Sequence, residues 1–158
     1  MSPPLESAAE LRPADVRRAR SFRELAGVAV AFASLVMMDL LVRKHGFPGL
    51  YQRLASWPVL AGRRRDSARV GEICSAVDRA AALYFKRAWC LQRSATATFL
   101  LRRAGFPAEM VIGVQTMPFA AHAWVELAGE VANDRPGVRE IYDVIERLGP
   151  PAGKDGGR

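Results

Sequence analysis

The stretch CLQRSATATFLLRRAGFPAEMVIGV, residues 90–114, contains the transition that decides the fold. Its first part is apolar and predicts a helix over 90–103, because Gly105 can adopt the left-handed conformation that caps a helix and Pro107 prevents its continuation. Residues 110–114 are short in extent and rich in β-branched side chains, which predicts a strand. A helix with a cysteine at its start is therefore followed by sheet.

Further elements are predicted on both sides of this stretch. Downstream, residues 121–127 form a second strand, Gly129 marks a hairpin, and residues 131–134 form a third strand. A short helix over 140–147 completes the ordered chain. Upstream, the apolar positions between 70 and 89 repeat at helical spacing. Helices followed by a small antiparallel sheet are typical of the α+β class.

The N-terminal part contains a long apolar run over residues 25–42, with basic residues on both sides and Asp39 near its end. The run reaches the lower limit of roughly 17 residues for a membrane span, but a charge at a helix centre costs roughly 2.5–3.5 kcal/mol. A core helix packed on all sides is the favoured interpretation, and contact with the membrane face is the alternative. His45-Gly46-Phe47-Pro48 ends this helix, and a shorter helix follows at 50–54.

An arginine-rich linker at 61–67 suggests where the chain divides. We predict an N-terminal helical segment over 1–66, a core over 67–148 and a flexible tail over 149–158. There is no internal repeat or low-complexity block.

The net charge of +7 invites a nucleic-acid interpretation. The arginines are dispersed in small clusters, however, and no helix-turn-helix, zinc-finger or aromatic–basic pattern accompanies them, so nucleic-acid binding is disfavoured. The two cysteines, Cys74 and Cys90, form no metal-ligand pattern. They favour a reducing, cytoplasmic setting over a disulfide scaffold or a zinc site. A single disulfide between them stays open and would silence Cys90.

Three residues that carry chemistry occur in the order Cys90, His122, Asp134. A thiol needs a base to become a good nucleophile, and the imidazole needs a third group to fix its tautomer. The start of a helix stabilises a thiolate and presents backbone N–H groups, including that of Cys90, to a developing oxyanion. Each residue alone has a structural interpretation, since a cysteine before an apolar helix is usually a small buried hydrophobe. Trp124 is predicted to be core and Cys74 structural.

The hairpin at Gly129 decides whether the histidine and aspartate can meet. A two-residue turn at 128–129 would place Asp134 opposite Ala123, on the wrong face for His122. A three-residue turn at 127–129 pairs His122 directly with Asp134. The site therefore predicts the three-residue register or a bulge.

Five segments of the chain resemble the lasso-peptide biosynthesis leader peptidases, which are transglutaminase-like cysteine proteases. They are Cys90-Leu91-x-Arg93-Ser94, Leu100-Leu101-Arg102-Arg103-x-Gly105, Val111-Ile112-Gly113-Val114, Phe119-x-Ala121-His122-Ala123-Trp124-Val125-Glu126 and Asn133-Asp134. The resemblance spans residues 25–135. It implies an α+β fold in which a helical N-terminal part precedes a transglutaminase/papain-like core with a nucleophile helix and a small antiparallel sheet.

The resemblance also implies an activity. The family cuts the leader from a ribosomally made precursor peptide, with Cys90 as nucleophile, His122 as base and then acid, and Asp134 orienting the imidazole. No metal or other cofactor is implied. The expected partners are the precursor leader, a separate small leader-recognition protein, because the winged-helix module of some members is not expected here, and the ATP-dependent lasso cyclase. Transglutaminase-like amide transfer and a catalytically silent scaffold are the alternatives.

Overall fold

The computed structural model describes residues 13–60, 66–84 and 90–151. Within these ranges four helices and four strands follow one another along the chain. They are α1 (Pro13–Ser56), α2 (Ser67–Leu83), α3 (Cys90–Arg103), β1 (Glu109–Thr116), β2 (Phe119–Leu127), β3 (Glu130–Val131), α4 (Val138–Ile141) and β4 (Asp143–Leu148). The α+β class, with a helical N-terminal part and a small antiparallel sheet, is confirmed.

Helix α1 consists of two helical segments joined at a kink. Gly46 lies at the kink with φ 65° and ψ −172°, a left-handed conformation that glycine adopts without the steric cost of a Cβ atom. The predicted break at His45-Gly46-Phe47-Pro48 and the second helix after it are confirmed. The kink redirects the second segment, which carries Leu50 and Leu54 into the protein core.

The first segment of α1 is buried on only one face. Ala31, Leu35 and Met38 are fully buried, whereas the side chains of Phe22 and Leu25 are 76% and 72% exposed. The prediction that this helix packs on all sides is therefore wrong, because the other described elements cover only one of its faces. Among the described residues, one helical segment, Ser21–Ser56, has the length and apolar composition to cross a membrane.

Helix α2 begins at a side-chain cap. The carboxylate of Asp66 accepts a hydrogen bond from the backbone N–H of Ala68 at 3.0 Å, which satisfies one free donor of the first turn. The helix buries Cys74, Val77 and Ala80. The rest of the predicted helix, at 85–89, and most of the predicted linker, at 61–65, lie outside the described residues.

The four strands form one antiparallel sheet in the order β3-β2-β1-β4. Strands β1 and β2 are joined by a tight turn that contains a cis Met117–Pro118 peptide. The predicted helix over 140–147 is wrong: only the single turn α4 is helical, and residues 143–148 form strand β4. Strand β1 has an edge that β2 does not cover, and pairing of that edge outweighs the local helical preference of this segment.

Helix α3 lies between the first two helices and the sheet. One cluster of buried residues joins α1, α2, α3 and β2 through Ala31, Val77, Leu101 and Val125. A second cluster joins the end of α1 to α3, β1 and β4; its buried members are Met38, Leu50, Leu54, Ala95, Met110 and Leu148. Both clusters include residues from each side of position 66, and the domain boundaries stay a prediction.

A buried arginine ties the end of α1 to the end of β4. The guanidinium of Arg102 donates hydrogen bonds to the carbonyl oxygens of Leu54, Trp57, Ala108 and Leu148. Burial lowers the pKa of Arg102 from 12.5 to about 10, against the opposing influence of Glu109. The cation is therefore held by main-chain oxygens, and it fixes two segments that are distant in sequence.

Candidate active site

Cys90 is the first residue of α3, and its side chain is half-buried. Cys74 is buried in α2, and both cysteines are free thiols, so the disulfide that the sequence left open is not formed. Burial, together with the charge of Asp78, raises the pKa of Cys74 from 9.0 to about 11. A thiol with that pKa is unreactive at neutral pH, which agrees with a structural role for Cys74.

His122 and Asp134 are in direct contact. The imidazole Nε2 lies 2.6 Å from Oδ2 of the carboxylate, and each side chain is 24% exposed. The imidazole ring also packs beside two aromatic rings, with centroid distances of 5.1 Å to Tyr142 and 6.2 Å to Trp124. The ring is therefore held both by an acceptor at one nitrogen and by neighbours across its faces.

The route by which Asp134 reaches His122 differs from the prediction. The hairpin uses the two-residue turn, since Leu127 pairs with Glu130. Its turn residues Ala128 and Gly129 have φ values of 49° and 85°, which is typical of the primed turns that join antiparallel strands. Strand β3 then ends after Val131, so Asp134 is not bound to a strand register and its side chain is free to approach from beyond the strand end. The predicted three-residue register and the third strand over 131–134 are wrong.

A hydrogen-bonded junction connects the neighbours of all three predicted site residues. The Oγ of Ser94, one helical turn after Cys90, donates to the carbonyl oxygen of Ala123 at 2.8 Å. Asn133 donates from Nδ2 to Ser94 Oγ at 3.0 Å and accepts the backbone N–H of Val125 at 2.6 Å. Because Ala123 follows His122 and Asn133 precedes Asp134, this junction fixes the three elements relative to one another. The sequence contained both residues, but only the fold reveals their contact.

A buried carboxylate fixes the indole ring that packs beside His122. Glu126, which is 1% exposed, accepts hydrogen bonds from the indole N–H of Trp124 and from Arg139 and Arg147. Burial alone would raise the pKa of Glu126, but the hydrogen bonds from these three side chains outweigh it and lower the pKa from 4.5 to about 2. The indole beside His122 is thus fixed by an ionised carboxylate.

Glycine is required opposite the histidine. Gly113 on β1 pairs with His122 on β2. A Cβ atom at position 113 would lie 2.8 Å from the Trp124 ring and 2.9 Å from Cβ of Tyr142. The missing side chain therefore makes room for the two aromatic residues that flank the imidazole.

Cys90 and His122 line one cleft with a volume of about 410 Å³. Its lining is mostly apolar and comes from α1, α3 and three strands: Phe47, Tyr51, Cys90, Leu91, Ile112, Ala121, His122, Ala123, Ile145 and Glu146. The structure brings the three predicted site residues to one place, since Asp134 contacts His122 and His122 shares the cleft with Cys90. The walls from α1 and β4 were not predicted, because no motif marks them. No cluster of metal-ligating side chains occurs in the described part of the chain.

A thiol, an imidazole and a carboxylate at one cleft are the groups that nucleophilic catalysis on a carbonyl group uses. Comparison with known proteins identifies a family and a relative. A family model described as the Transglutaminase-like superfamily matches residues 34–147. The chain is also 41% identical over 59 residues to the microcin J25-processing protein McjB of Escherichia coli. That segment is 37% of this chain and 28% of the relative, so the chain spans under a third of that protein's length. No solved structure gave a match.

Proposed function

The chain belongs to the Transglutaminase-like superfamily, and on that premise we propose that it is a cysteine peptidase that removes the leader from a ribosomally made precursor peptide during lasso-peptide maturation. The observation that carries the proposal is the His122–Asp134 contact beside a cleft that Cys90 lines. The name of the similar protein, which describes it as processing microcin J25, supports a substrate that is a peptide.

The mechanism follows from which imidazole nitrogen is occupied. Because Nε2 of His122 faces Asp134, Nδ1 is the nitrogen that takes the thiol proton. The sulfur of Cys90 attacks the carbonyl carbon at the leader–core junction, and a backbone N–H at the start of α3 receives the oxyanion. The C–N bond then breaks, His122 returns its proton to the leaving amine of the core, and the leader remains as a thioester on Cys90.

Water completes the reaction. It attacks the thioester carbonyl, His122 accepts the water proton, and the proton passes to the sulfur as the C–S bond breaks. The leader leaves with a new carboxylate, and Cys90 is again a thiol. Asp134 orients the imidazole throughout and stabilises the imidazolium without being protonated itself.

Under this proposal the free α-amine of the core is the product that a separate ATP-dependent cyclase uses. A small leader-recognition protein presents the precursor. Both partners come from the resemblance to the leader peptidases, and a cytoplasmic setting is supported by the two free thiols.

We also propose that the first segment of α1 contacts the membrane surface. Phe22, Leu25 and Val30 are exposed, and Arg18 and Arg23 lie exposed at the same end of the helix. Exposed apolar side chains with basic neighbours suit a surface of anionic lipids. Sedimentation with vesicles that contain anionic lipid tests this: Leu25→Glu should reduce the bound fraction, and unchanged binding would contradict the contact.

Mass spectrometry of a leader-bearing lasso-peptide precursor tests the peptidase proposal. The precursor is incubated with the protein and the leader-recognition protein, in parallel with Cys90→Ala and with Cys74→Ala as the matched control. We expect one cut at the leader–core junction that Cys90→Ala abolishes and Cys74→Ala retains. A cut that survives Cys90→Ala would overturn the nucleophile. Leader bonded to an added amine, without the mass of water, would assign amide transfer instead.

A further inference from the structure

Two residues of one short segment, Asp134 and Tyr142, lie against His122. Asp134 contacts the edge of the imidazole, with 2.6 Å between Oδ2 and Nε2. The ring of Tyr142 lies beside the face of the imidazole, with 5.1 Å between the two centroids and 30° between the two planes. The chain between them consists of a loop and the single turn α4. This segment therefore supplies both an acceptor and an aromatic neighbour for the same imidazole.

Tyr142 is placed by α4 on one side and by β4 on the other. Its backbone N–H donates to the carbonyl oxygen of Val138 at 3.1 Å, which closes the turn. Val138 is buried in a cluster with Trp124, and the side chain of Tyr142 packs against this cluster. The residue after Tyr142 is the first of β4, which pairs with β1. Packing and sheet pairing thus fix the ring independently of any substrate.

One buried carboxylate fixes both aromatic neighbours of the imidazole. Oε1 of Glu126 accepts the indole N–H of Trp124 and the Nε–H of Arg139, each at 2.8 Å. Arg139 belongs to α4 and also donates to the carbonyl oxygen of Gly129 in the hairpin turn. Because Glu126 and His122 lie on the same strand, the position of α4 is set by the element that carries the imidazole.

The two aromatic rings differ in their distance from the imidazole. A cation is attracted to the face of an aromatic ring within roughly 6 Å of the ring centroid. The imidazole centroid lies 5.1 Å from that of Tyr142 and 6.2 Å from that of Trp124. Of the two rings, Tyr142 alone is therefore in range when His122 takes up a proton. The ring makes this contact, so the hydroxyl of Tyr142 is not required for it.

We propose that Tyr142 is a positioning residue whose ring keeps water from the His122–Asp134 hydrogen bond and stabilises the imidazolium that forms when Cys90 loses its proton. This inference rests on the proposed function and adds a residue to the same site. The side chains of His122 and Asp134 are each 24% exposed, so water competes for their hydrogen bond wherever no neighbour covers it. Tyr142 acts through His122, because it is not among the residues that line the cleft.

Proton NMR of the N–H between His122 and Asp134 tests the shielding without any reaction. The chain has two histidines, so a His45→Gln background leaves one imidazole to assign. We expect a downfield resonance that Tyr142→Phe retains, because the ring is preserved. In Tyr142→Leu its exchange with water should be about 10-fold faster, the factor that one well-placed aromatic contact supplies. Tyr142→Met takes the place of Tyr142→Leu if the latter does not fold. Equal exchange rates in all variants, or exchange in the native protein as fast as that of free imidazole, would overturn the proposal.

Labelling of Cys90 by iodoacetamide in a Cys74→Ala background measures the consequence for the thiol. At neutral pH, Tyr142→Leu should lower the second-order rate about 10-fold, and Tyr142→Phe by about twofold at most. Val77→Ala is the matched control, because it truncates a buried side chain of α2 and lowers stability away from the cleft. It should leave both the exchange and the labelling unchanged. An equal loss in Val77→Ala would assign the effect to stability and overturn the positioning role.

Failure of this inference and failure of the peptidase are distinguishable. If the native protein cleaves no precursor, the peptidase is contradicted, and the exchange rates still decide the role of Tyr142 because they need no reaction. If the native protein cleaves the precursor, a lower kcat with unchanged KM in Tyr142→Leu supports that role. An unchanged kcat in Tyr142→Leu would keep the peptidase and overturn the role of Tyr142.

Discussion

The two sides of the cleft are built by different means. On the side that carries the proposed catalytic residues, here called the catalytic side, directional hydrogen bonds fix the groups: Asp134 holds His122, and Asn133 joins Ser94 to β2. On the opposite side, here called the binding side because it would contact a bound peptide, the walls from α1 and β4 are mostly apolar. Two backbone irregularities shape them, the kink at Gly46 and a bulge at Ile145, which has no partner in β1 because Ile112 pairs with Glu146 and Gly113 with Val144. Catalysis requires that the reacting groups be oriented, whereas recognition of a substrate requires a cavity of matching shape. Substitutions on the catalytic side should therefore reduce activity abruptly, and substitutions on the binding side should reduce it gradually.

The largest loss of activity is expected on substitution of Asp134, whose carboxylate contacts His122. Asp134→Asn keeps the size of the side chain but replaces one acceptor oxygen with a donor, so it favours the wrong tautomer of His122. We expect kcat to fall by about 10³–10⁴, as for loss of the orienting carboxylate in a triad. Cleavage assays measure the loss, and circular dichroism should show an unchanged fold. Asp143→Asn, on the exposed start of β4, is the control and should retain full activity.

The support behind the catalytic side predicts an effect of pH on stability. The pKa of Glu126 is about 2 in the folded protein and 4.5 without its partners, so the folded state prefers the charged carboxylate. Its contribution, on the order of 3 kcal/mol, is fully present above pH 4.5 and is lost as the pH falls toward 2. Denaturant unfolding between pH 2 and 6 should show this loss.

Glu126→Gln should abolish that part of the pH dependence and lower the free energy of unfolding at pH 7. Glu140→Gln removes an exposed carboxylate of α4 and serves as the control, with both quantities unchanged. Identical pH profiles for the native protein and Glu126→Gln would contradict the assignment.

A smaller loss is expected at the junction between the catalytic elements. Asn133→Ala leaves the backbone N–H of Val125 and the hydroxyl of Ser94 without this partner, at a cost of about 1–3 kcal/mol of stability. Because Asn133 positions its neighbours and is not among the residues that line the cleft, we expect kcat to fall by about 10-fold with KM unchanged. Ser94→Ala removes the bond to Ala123 and should give a similar, weaker change. A rise in KM alone would contradict the positioning role.

Substitutions on the binding side should have the smallest kinetic effects. Gly46→Ala forces a Cβ into a left-handed conformation at a cost of roughly 1–2 kcal/mol, and relaxation of the kink should shift Phe47 and Tyr51. We expect KM to rise several-fold with kcat preserved. Gly71→Ala is the matched control in α2, where an added Cβ meets nothing within 4 Å, and it should be neutral or stabilising. Equal kinetic effects of Gly46→Ala and Gly71→Ala would contradict a contribution of the kink to binding.

The residues proposed for catalysis could be selected from the sequence more readily than the residues of the α1 and β4 walls, for a physical reason. Cys90 and His122 are marked by local motifs on a helix and a strand, and Gly46 marks its break by residue type. The hairpin register was wrong because the length of β3 depends on a side-chain contact, Asn133 with Val125. No local sequence pattern predicts such a contact.

The binding side depends on packing between distant segments. Residues 140–147 fit a helix by their own spacing, and only the uncovered edge of β1 makes them a strand. The bulge at Ile145 has no glycine or proline to mark it. Phe47 and Tyr51 reach the cleft because Arg102 and the buried leucines hold the end of α1 there.

The contacts of Arg102 also bear on when the proposed active site becomes complete during synthesis of the chain. Leu148, whose carbonyl the guanidinium binds, lies 46 residues after it, in the final strand described. A growing chain that has left the ribosome only as far as β2 already contains Cys90 and His122, yet it lacks Asp134 and the β4 wall. The residues proposed to react are thus translated before one wall of the cleft that they line. The complete cleft therefore forms only after β4 has been synthesised and has paired with β1.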